Sequence, residues 1–145
     1  MERGFMHRVS RGLWGLLLFG CFLRLEAGAY AAALDARTMM ASSEVRRGMR
    51  AVGKTVFAGA TITSFNLEII DVMRKANSGA DLILARVLDG PVVQRQSGII
   101  GGMSGSPVYI NGKLIGAIAY GWGFMREPIC GITPIREMLE ALDLI

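Results

Sequence analysis

The sequence of 145 residues is poor in histidine, cysteine and proline, with one, two and four of these residues respectively. The single histidine, His7, stands near the amino terminus, so the rest of the chain has no histidine to act as a metal ligand or a general base. No histidine or cysteine cluster predicts a metal site, and no glycine-rich loop opens a helix as a phosphate or dinucleotide site requires. We therefore expect no metal and no cofactor.

The first 31 residues have the composition of an export signal. Three arginines stand among the first eleven residues, an apolar run covers residues 13–23, and Ala29-Tyr30-Ala31 supplies the small residues of a signal peptidase site. We predict a signal peptide at 1–31, cleaved after Ala31, and an exported protein of the periplasm, the cell envelope or the extracellular space. Two alternatives are an uncleaved anchor, for which the apolar run is short, and a lipoprotein attached at Cys21.

The charge balance gives little sign of a nucleic-acid partner. Residues 1–31 contain four of the sixteen basic and two of the twelve acidic residues, so the remainder carries a net charge near +2. Its basic residues are scattered and not interleaved with aromatic residues, which argues against nucleic-acid binding, and membrane contact is expected only through the signal. Cys130 would be the sole remaining cysteine, which excludes an internal disulfide and favours a small buried apolar side chain.

Beyond residue 48, short apolar runs alternate with glycine, asparagine, aspartate and proline, as is typical of an all-β domain. We predict a flexible lead-in at 32–47 and a folded domain at 48–145. Asn111-Gly112 predicts a two-residue hairpin turn, and Thr133-Pro134 predicts the start of a short C-terminal helix with threonine as its cap. The predicted strands cover residues 54–58, 61–65, 67–73, 82–88, 107–110 and 113–120.

Ser104 lies in a glycine-rich turn between an apolar run and a predicted strand. Glycine permits tight backbone conformations that aim amide groups inward, as an oxyanion hole requires. In the serine-peptidase template the donors are the amides of the nucleophile and of the residue two before it, here Ser104 and Gly102. The nucleophile elbow of α/β-hydrolases is excluded, because Ser106 replaces its second glycine and a strand follows. A tight turn without catalytic function is the alternative.

The segments Gly-Met-Ser-Gly-Ser-Pro at 102–107 and Asn-Gly-Lys-Leu-Ile-Gly-Ala at 111–117 resemble the nucleophile motif of the stage IV sporulation protein B family, serine peptidase family 55. The resemblance extends over roughly residues 48–143. It implies a trypsin-like double β-barrel, a polypeptide substrate, self-processing, and a serine nucleophile at Ser104. It also implies that Asp89, fifteen positions before Ser104, is the acid of the site, although Asp89-Gly90-Pro91 is equally a turn signal.

The chain departs from the family in its general base, which the resemblance implies is a histidine. Residues 32–104 contain none, and Lys54 or Lys113 would need strong desolvation to act instead. Either the histidine lies in a longer protein beyond Ile145, or the chain is a non-catalytic relative. A double barrel needs more strands than the six predicted, which favours an incomplete barrel with an open edge.

Together with the export signal, the resemblance implies an exported serine endopeptidase domain, and the missing histidine implies that this chain is inactive on its own. The alternatives are a peptide-binding or assembly module of the bacterial envelope, and a purely structural exported domain.

Overall fold

The computed structural model describes residues 37–122, 125 and 127–142, so the predicted signal at 1–31, with His7 and Cys21, lies outside the described residues. Residues 38–145 form one compact unit. Its described part contains strands β1 to β6 and two short helices, besides a single 3-10 turn. In chain order they are β1 Arg50–Val56, β2 Ile62–Asn77, β3 Ala80–Val87, α1 Pro91–Gln94, β4 Pro107–Ile110, β5 Lys113–Gly121, β6 Ile129–Pro134 and α2 Ile135–Ala141.

The strands form a closed antiparallel barrel in the order β1-β2-β3-β6-β5-β4, which confirms the predicted all-β barrel with a short C-terminal helix. The barrel closes because β4 pairs with β1, through Val52 opposite Tyr109 and Gly53 opposite Val108. The expected open edge is therefore wrong. The sequence pattern missed β6, which fills the gap between β3 and β5.

The side of β1 that faces the core carries only small side chains, because an aromatic ring occupies the space beside them. Ala51, Gly53 and Thr55 face inward, and the residues between them are exposed. Phe65 of β2 lies so close to Gly53 that a Cβ atom there would stand 2.2 Å from the ring carbon Cζ. Larger apolar residues from the other strands complete the core, notably Leu67, Ile69, Ile83, Val87, Val108, Ile110, Ile115, Ile118 and Ile132.

The predicted hairpin turn is confirmed, because Asn111 and Gly112 both have positive φ angles, of 50° and 79°, between β4 and β5. The predicted strands at 61–65 and 67–73 are one strand, β2, with a register irregularity after Ile69. The C-terminal helix is present, but Thr133 does not cap it. Thr133 pairs with Ala117 inside β6, and α2 begins one residue after Pro134, without a side-chain cap.

The described part of the predicted lead-in packs against the barrel. Met40 and Val45 are buried, and the Met40 amide donates a hydrogen bond of 3.0 Å to the Leu114 carbonyl. The composition of 32–47, rich in alanine, serine and charge, gave no sign of these two anchors. Met40, Val45 and Met49 therefore contribute apolar contacts to the same core as the strands.

A polar cluster around Asp81 joins the lead-in, the β2–β3 hairpin and α2. The Asp81 carboxylate accepts hydrogen bonds from Ser42 Oγ at 2.8 Å and from Arg74 at 2.5 Å, while its amide donates to Glu137 at 2.7 Å. Burial acts to raise the pKa of Asp81, but the hydrogen bonds from the Lys75 amide, Arg74 and Ser42 outweigh it and hold the pKa below its ordinary value. The cluster thus ties three chain segments together through one ionised carboxylate.

No helix in the described part of the chain is both long and apolar enough to cross a membrane.

We predict that Gly53→Ala destabilises the barrel by about 1–3 kcal/mol, because the added methyl group would overlap the Phe65 ring and force the core to repack. Urea unfolding followed by circular dichroism measures this. Gly101→Ala is the matched control, since Gly101 has open space at its Cβ position and no positive φ angle. The control should change stability by no more than about 0.5 kcal/mol. Equal stability of the two variants would contradict the packing argument.

Candidate functional site

Ser104 ends a single 3-10 turn, Gly101–Met103, that precedes β4. Its side chain is exposed, whereas the preceding Met103 is only 1% exposed and packs in the core. The Met103 amide donates to the Ile100 carbonyl at 2.9 Å, which closes the turn. The buried methionine therefore anchors the turn and leaves the serine hydroxyl at the surface.

Backbone hydrogen bonds fasten the residues after Ser104 to β5. The Gly105 amide donates to the Ile118 carbonyl at 2.8 Å, and the Ile118 amide donates to the Ser106 carbonyl at 3.0 Å. Gly105 has a φ angle of 84°, which favours glycine and allows the chain to turn into β4. The amide and the carbonyl of Ile118 thus both hold residues 101–106, the serine turn.

A buried side-chain hydrogen bond holds the same turn from the opposite strand. Ser106 Oγ donates to Thr55 Oγ1 of β1 at 2.7 Å, and both residues are buried, with exposed fractions of 6% and 7%. A buried hydroxyl without a partner is costly, so each residue needs the other. The turn is therefore attached to β5 through its backbone and to β1 through the Ser106 hydroxyl.

The two amides predicted for an oxyanion hole lie in this turn. The Ser104 amide points toward the Gly101 carbonyl at 3.4 Å, a distance beyond that of ordinary N–H···O bonds. The Gly102 amide is bonded to no backbone carbonyl of the described residues. Neither Gly101 nor Gly102 has a positive φ angle, and neither has an atom within 4 Å of its Cβ position. The Ser104 amide is thus engaged within the turn, whereas the Gly102 amide has no backbone acceptor among the described residues.

Asp89 lies in the loop after β3 and is held by β2. Its carboxylate accepts hydrogen bonds from the Asn66 amide at 2.8 Å and from Asn66 Nδ2 at 2.5 Å, while the Leu88 amide donates to the Asn66 carbonyl. Within the described part of the chain, no hydrogen bond joins Asp89 to Ser104. A carboxylate has about four acceptor positions, so Asp89 keeps capacity for a further donor.

A cleft of about 240 Å³ lies beside Ser104. Residues 99–101 form one wall and residues 118–121 form the other, and Ser104 lines the same space. The two walls meet where Gly121 approaches Ile99, since a Cβ atom at Gly121 would stand 2.8 Å from Ile99 Cβ. The structure thus places the predicted nucleophile at the mouth of a cleft that the sequence did not predict.

The described residues contain no histidine and no group of His, Cys, Asp or Glu side chains that could hold a metal ion. Burial raises the pKa of the Cys130 thiol to about 12, so it stays protonated at neutral pH inside the barrel, as a small buried side chain should. Lys54 lies over the Tyr109 ring, 5.4 Å from its centroid. Lys113 occupies the start of β5, opposite Ile110.

Sequence reasoning identified the serine turn but missed Thr55 and the wall at 118–121. Thr55 is 51 positions from Ser106, and no local pattern connects them. The small residues Gly116, Ala117 and Ala119 allow a neighbouring chain segment to approach β5 closely. For Gly116 the close neighbour is β6, because a Cβ atom there would stand 2.0 Å from the Thr133 carbonyl oxygen.

Comparisons with known proteins match this architecture. Residues 16–139 match the family described as SpoIVB peptidase S55. An HtrA-type protease, AlgW, solved with a decapeptide, is similar with a TM-score of 0.56 and 20% identity, over 73% of this chain and 31% of that one. The inactive form of a serine-to-alanine mutant of Rv3671c from M. tuberculosis H37Rv is similar with a TM-score of 0.53 and 16% identity, over 73% of this chain and 51% of that one. None of the curated proteins matches in sequence.

The chain therefore spans about a third of one structural neighbour and about half of the other. At these identities the likeness concerns the fold alone, and it agrees with the trypsin-like β-barrel expected from the sequence.

We predict that Thr55→Val and Ser106→Ala each destabilise the barrel by about 1–3 kcal/mol, because each leaves a buried hydroxyl without its partner. The double variant should lose less than the sum of the two single losses, since it leaves no hydroxyl unpaired. Urea unfolding of the four proteins measures this cycle. Ser104→Ala, which changes an exposed hydroxyl two residues away, is the control, and it should stay within about 0.5 kcal/mol. Strictly additive losses would refute the coupling.

Proposed function

The chain belongs to the SpoIVB peptidase S55 family, and we propose on this basis that its barrel carries the nucleophile of an exported serine endopeptidase, Ser104. The observation that supports this proposal is the position of Ser104. Ser104 is exposed at the end of a glycine turn and lines a cleft, and the turn is held by β1 and β5.

In the proposed reaction, Ser104 Oγ attacks the carbonyl carbon of the scissile peptide bond and its proton passes to a general base. The Gly102 and Ser104 amides donate to the oxygen that becomes negatively charged, and the amine product leaves after taking up a proton. A second step, attack of water on the acyl-serine, releases the other product. The glycine turn supports this role because the Gly102 amide has no backbone acceptor among the described residues, and the Ser104 amide would give up only a long hydrogen bond of 3.4 Å to the Gly101 carbonyl.

The general base of the proposal is a histidine supplied by a polypeptide segment other than residues 37–142. A serine hydroxyl needs a neighbouring base near neutral pH, and the described residues contain no histidine. Asp89 is proposed to orient that imidazole by accepting its N–H. Its carboxylate is already held in place by Asn66, and it keeps acceptor positions that Asn66 does not use.

A polypeptide is the proposed substrate. The structural neighbour AlgW was solved with a decapeptide, and the cleft beside Ser104 includes the apolar side chains of Ile99 and Ile118, which a peptide side chain could contact. The second candidate function is a peptide-binding or assembly module without catalysis. It is favoured by the absence of histidine from the described residues together with the retained cleft.

We predict that a fluorophosphonate probe labels Ser104 slowly in the full chain and that added imidazole accelerates the labelling, because free imidazole replaces the missing base. Mass spectrometry of the labelled peptide measures the rate and the site. Ser104→Ala should abolish labelling. Ser43→Ala, which removes another exposed serine hydroxyl, is the matched control and should leave it unchanged.

Asp89→Asn should reduce the acceleration by imidazole without changing the slow labelling that occurs in its absence. The catalytic proposal would be contradicted if labelling persisted in Ser104→Ala, or if imidazole did not accelerate the labelling of the unmodified chain. If imidazole does not accelerate labelling but the chain binds peptides measurably, the result would instead support the binding module.

Export is the remaining part of the proposal. The supporting observations are the arginines, the apolar run at 13–23 and the small residues at 29–31. Expression in a bacterial host, fractionation, and amino-terminal sequencing should find a chain that begins at Ala32 outside the cytoplasm. A mature chain that retains residues 1–31 would favour the uncleaved anchor, and acylation at Cys21 would favour the lipoprotein.

A further inference from the structure

A second pocket of about 560 Å³, which we call the outer pocket, lies on the outer face of the barrel. Strands β1 and β2 and the β4–β5 hairpin form its lining, which includes no residue of the serine turn. Its volume lies within the roughly 300–1,000 Å³ of sites that hold small-molecule ligands. Two of the lining residues, Arg50 and Lys54, carry a positive charge, and none carries a negative charge. The outer pocket can therefore hold part of a polypeptide, and its own charges have one sign.

Val52 lies at the centre of the outer pocket. It pairs with Tyr109 of β4 on one side and with Asn66 of β2 on the other. Arg50 and Lys54 lie on the same face of β1, one on each side of Val52 along the strand, because side chains alternate between the two faces of a strand. Val52 is 38% exposed. An aliphatic side chain is thus exposed to solvent between two cations.

The two cations differ in how far their charge is balanced. Arg50 forms an ion pair of 3.2 Å with Glu68, its partner residue on β2. Lys54 has no ion-pair partner among the described residues, and its Nζ atom lies over the Tyr109 ring, 5.4 Å from the centroid. The ring attracts the ammonium group but does not neutralise it. The β4 side of the outer pocket therefore holds an unbalanced positive charge.

The hydrogen-bond donors of the outer pocket are also unevenly used. On the β2 side, Asn66 Nδ2 donates to the Asp89 carboxylate at 2.5 Å. On the β4 side, the Asn111 side chain and the Gly112 amide have no hydrogen-bond partner among the described residues. Donors without an acceptor beside an unbalanced cation favour an anionic ligand group. The β4 side is therefore suited to a carboxylate.

From these observations we propose that the outer pocket binds an extended polypeptide through one carboxylate side chain, of aspartate or glutamate, and one aliphatic side chain two positions away. Lys54 contacts the carboxylate, and Val52 contacts the aliphatic side chain. These two residues are two positions apart in β1, or about 7 Å, which is also the spacing of alternate side chains in an extended ligand. The proposal goes beyond the proposed catalysis, because no step of it uses Ser104.

The expected discrimination between ligands is modest. Lys54 is exposed, and ion pairs between exposed groups stabilise a complex only weakly. We expect a peptide with glutamate to bind about three- to fivefold more tightly than the same peptide with glutamine. High salt should reduce this difference, because counterions screen exposed charges.

The test is a titration of the isotope-labelled full chain with hexapeptides, followed by the NMR shifts of the backbone amides. The peptides have blocked ends and consist of serine and alanine except at two positions, which hold Glu-x-Val, Gln-x-Val, Lys-x-Val or Glu-x-Ser. We expect Glu-x-Val to bind most tightly and to shift the amides of Val52, Lys54 and Tyr109. Equal dissociation constants for the glutamate and glutamine peptides, or no binding of any peptide, would overturn the proposal.

Free acetate and inorganic phosphate test whether the site takes small anions instead of a polypeptide. Neither should displace Glu-x-Val at the concentration of the peptide, because neither contacts Val52 through an aliphatic group. Displacement by either anion at equal concentration, or equal binding of Glu-x-Val and Glu-x-Ser, would reject the polypeptide as the ligand.

Substitutions of Lys54 separate its charge from its contribution to packing. Lys54→Gln should make the glutamate and glutamine peptides bind equally, and Lys54→Arg should keep the preference for glutamate. Lys75→Gln, which removes an exposed charge of the β2–β3 hairpin outside the outer pocket, is the matched control and should also keep it. A preference for glutamate that persists in Lys54→Gln would overturn the proposal.

Ser104→Ala separates the outer pocket from the proposed catalysis. This variant should bind all four peptides as the unmodified chain does, because Ser104 is not part of the lining. Peptide preference without fluorophosphonate labelling of the unmodified chain would reject only the catalytic role. Labelling of Ser104 without any peptide preference would reject only the outer pocket as a binding site.

Discussion

The pairing of β1 with β4 is the constraint on which both the barrel and the serine turn depend. It closes the sheet through two residue pairs, and it brings Thr55 of β1 to Ser106, directly before β4. The same step therefore removes the edges of the sheet and supplies the buried anchor of the turn. Because Gly53 takes part in this pairing and accommodates the Phe65 ring, the packing of the core and the position of Ser104 depend on one strand.

The chemical groups around Ser104 come mostly from the backbone. The amides of Gly102 and Ser104, the contacts of Gly105 and Ser106 with Ile118, and the unpaired backbone of Ala119 all arise from the path of the chain. No described interaction of the turn involves an ionised side chain. The turn and its cleft are thus held without a histidine, in a chain whose described residues contain none.

Local sequence patterns predicted those structural elements that depend on the conformations of neighbouring residues. Asn111-Gly112 fixed the β4–β5 hairpin because both residues tolerate positive φ angles, and the bounds of β4 follow from it. Thr133-Pro134 was misleading, because threonine followed by proline can start a helix or end a strand, and pairing with β5 decides between them. Asparagine is common in loops, yet Asn66 lies inside β2, where its amide donates a hydrogen bond to the Asp89 carboxylate. The serine turn was visible in the sequence, while its cleft and its Thr55 anchor depend on contacts between distant segments.

The separation of the partners along the chain also bears on the order of folding. The β4–β5 hairpin and the β2–β3 hairpin, with its turn at Ser78 and Gly79, connect neighbours in sequence, and such hairpins form in about 1–10 μs. The hydrogen bond between Thr55 and Ser106 joins residues 51 positions apart. Bringing them together costs more conformational entropy of the chain than forming a hairpin does. We expect the hairpins to precede barrel closure. A partly folded chain would then carry Ser104 on a loose loop, and the last folding step would create the cleft and the geometry of the serine turn together.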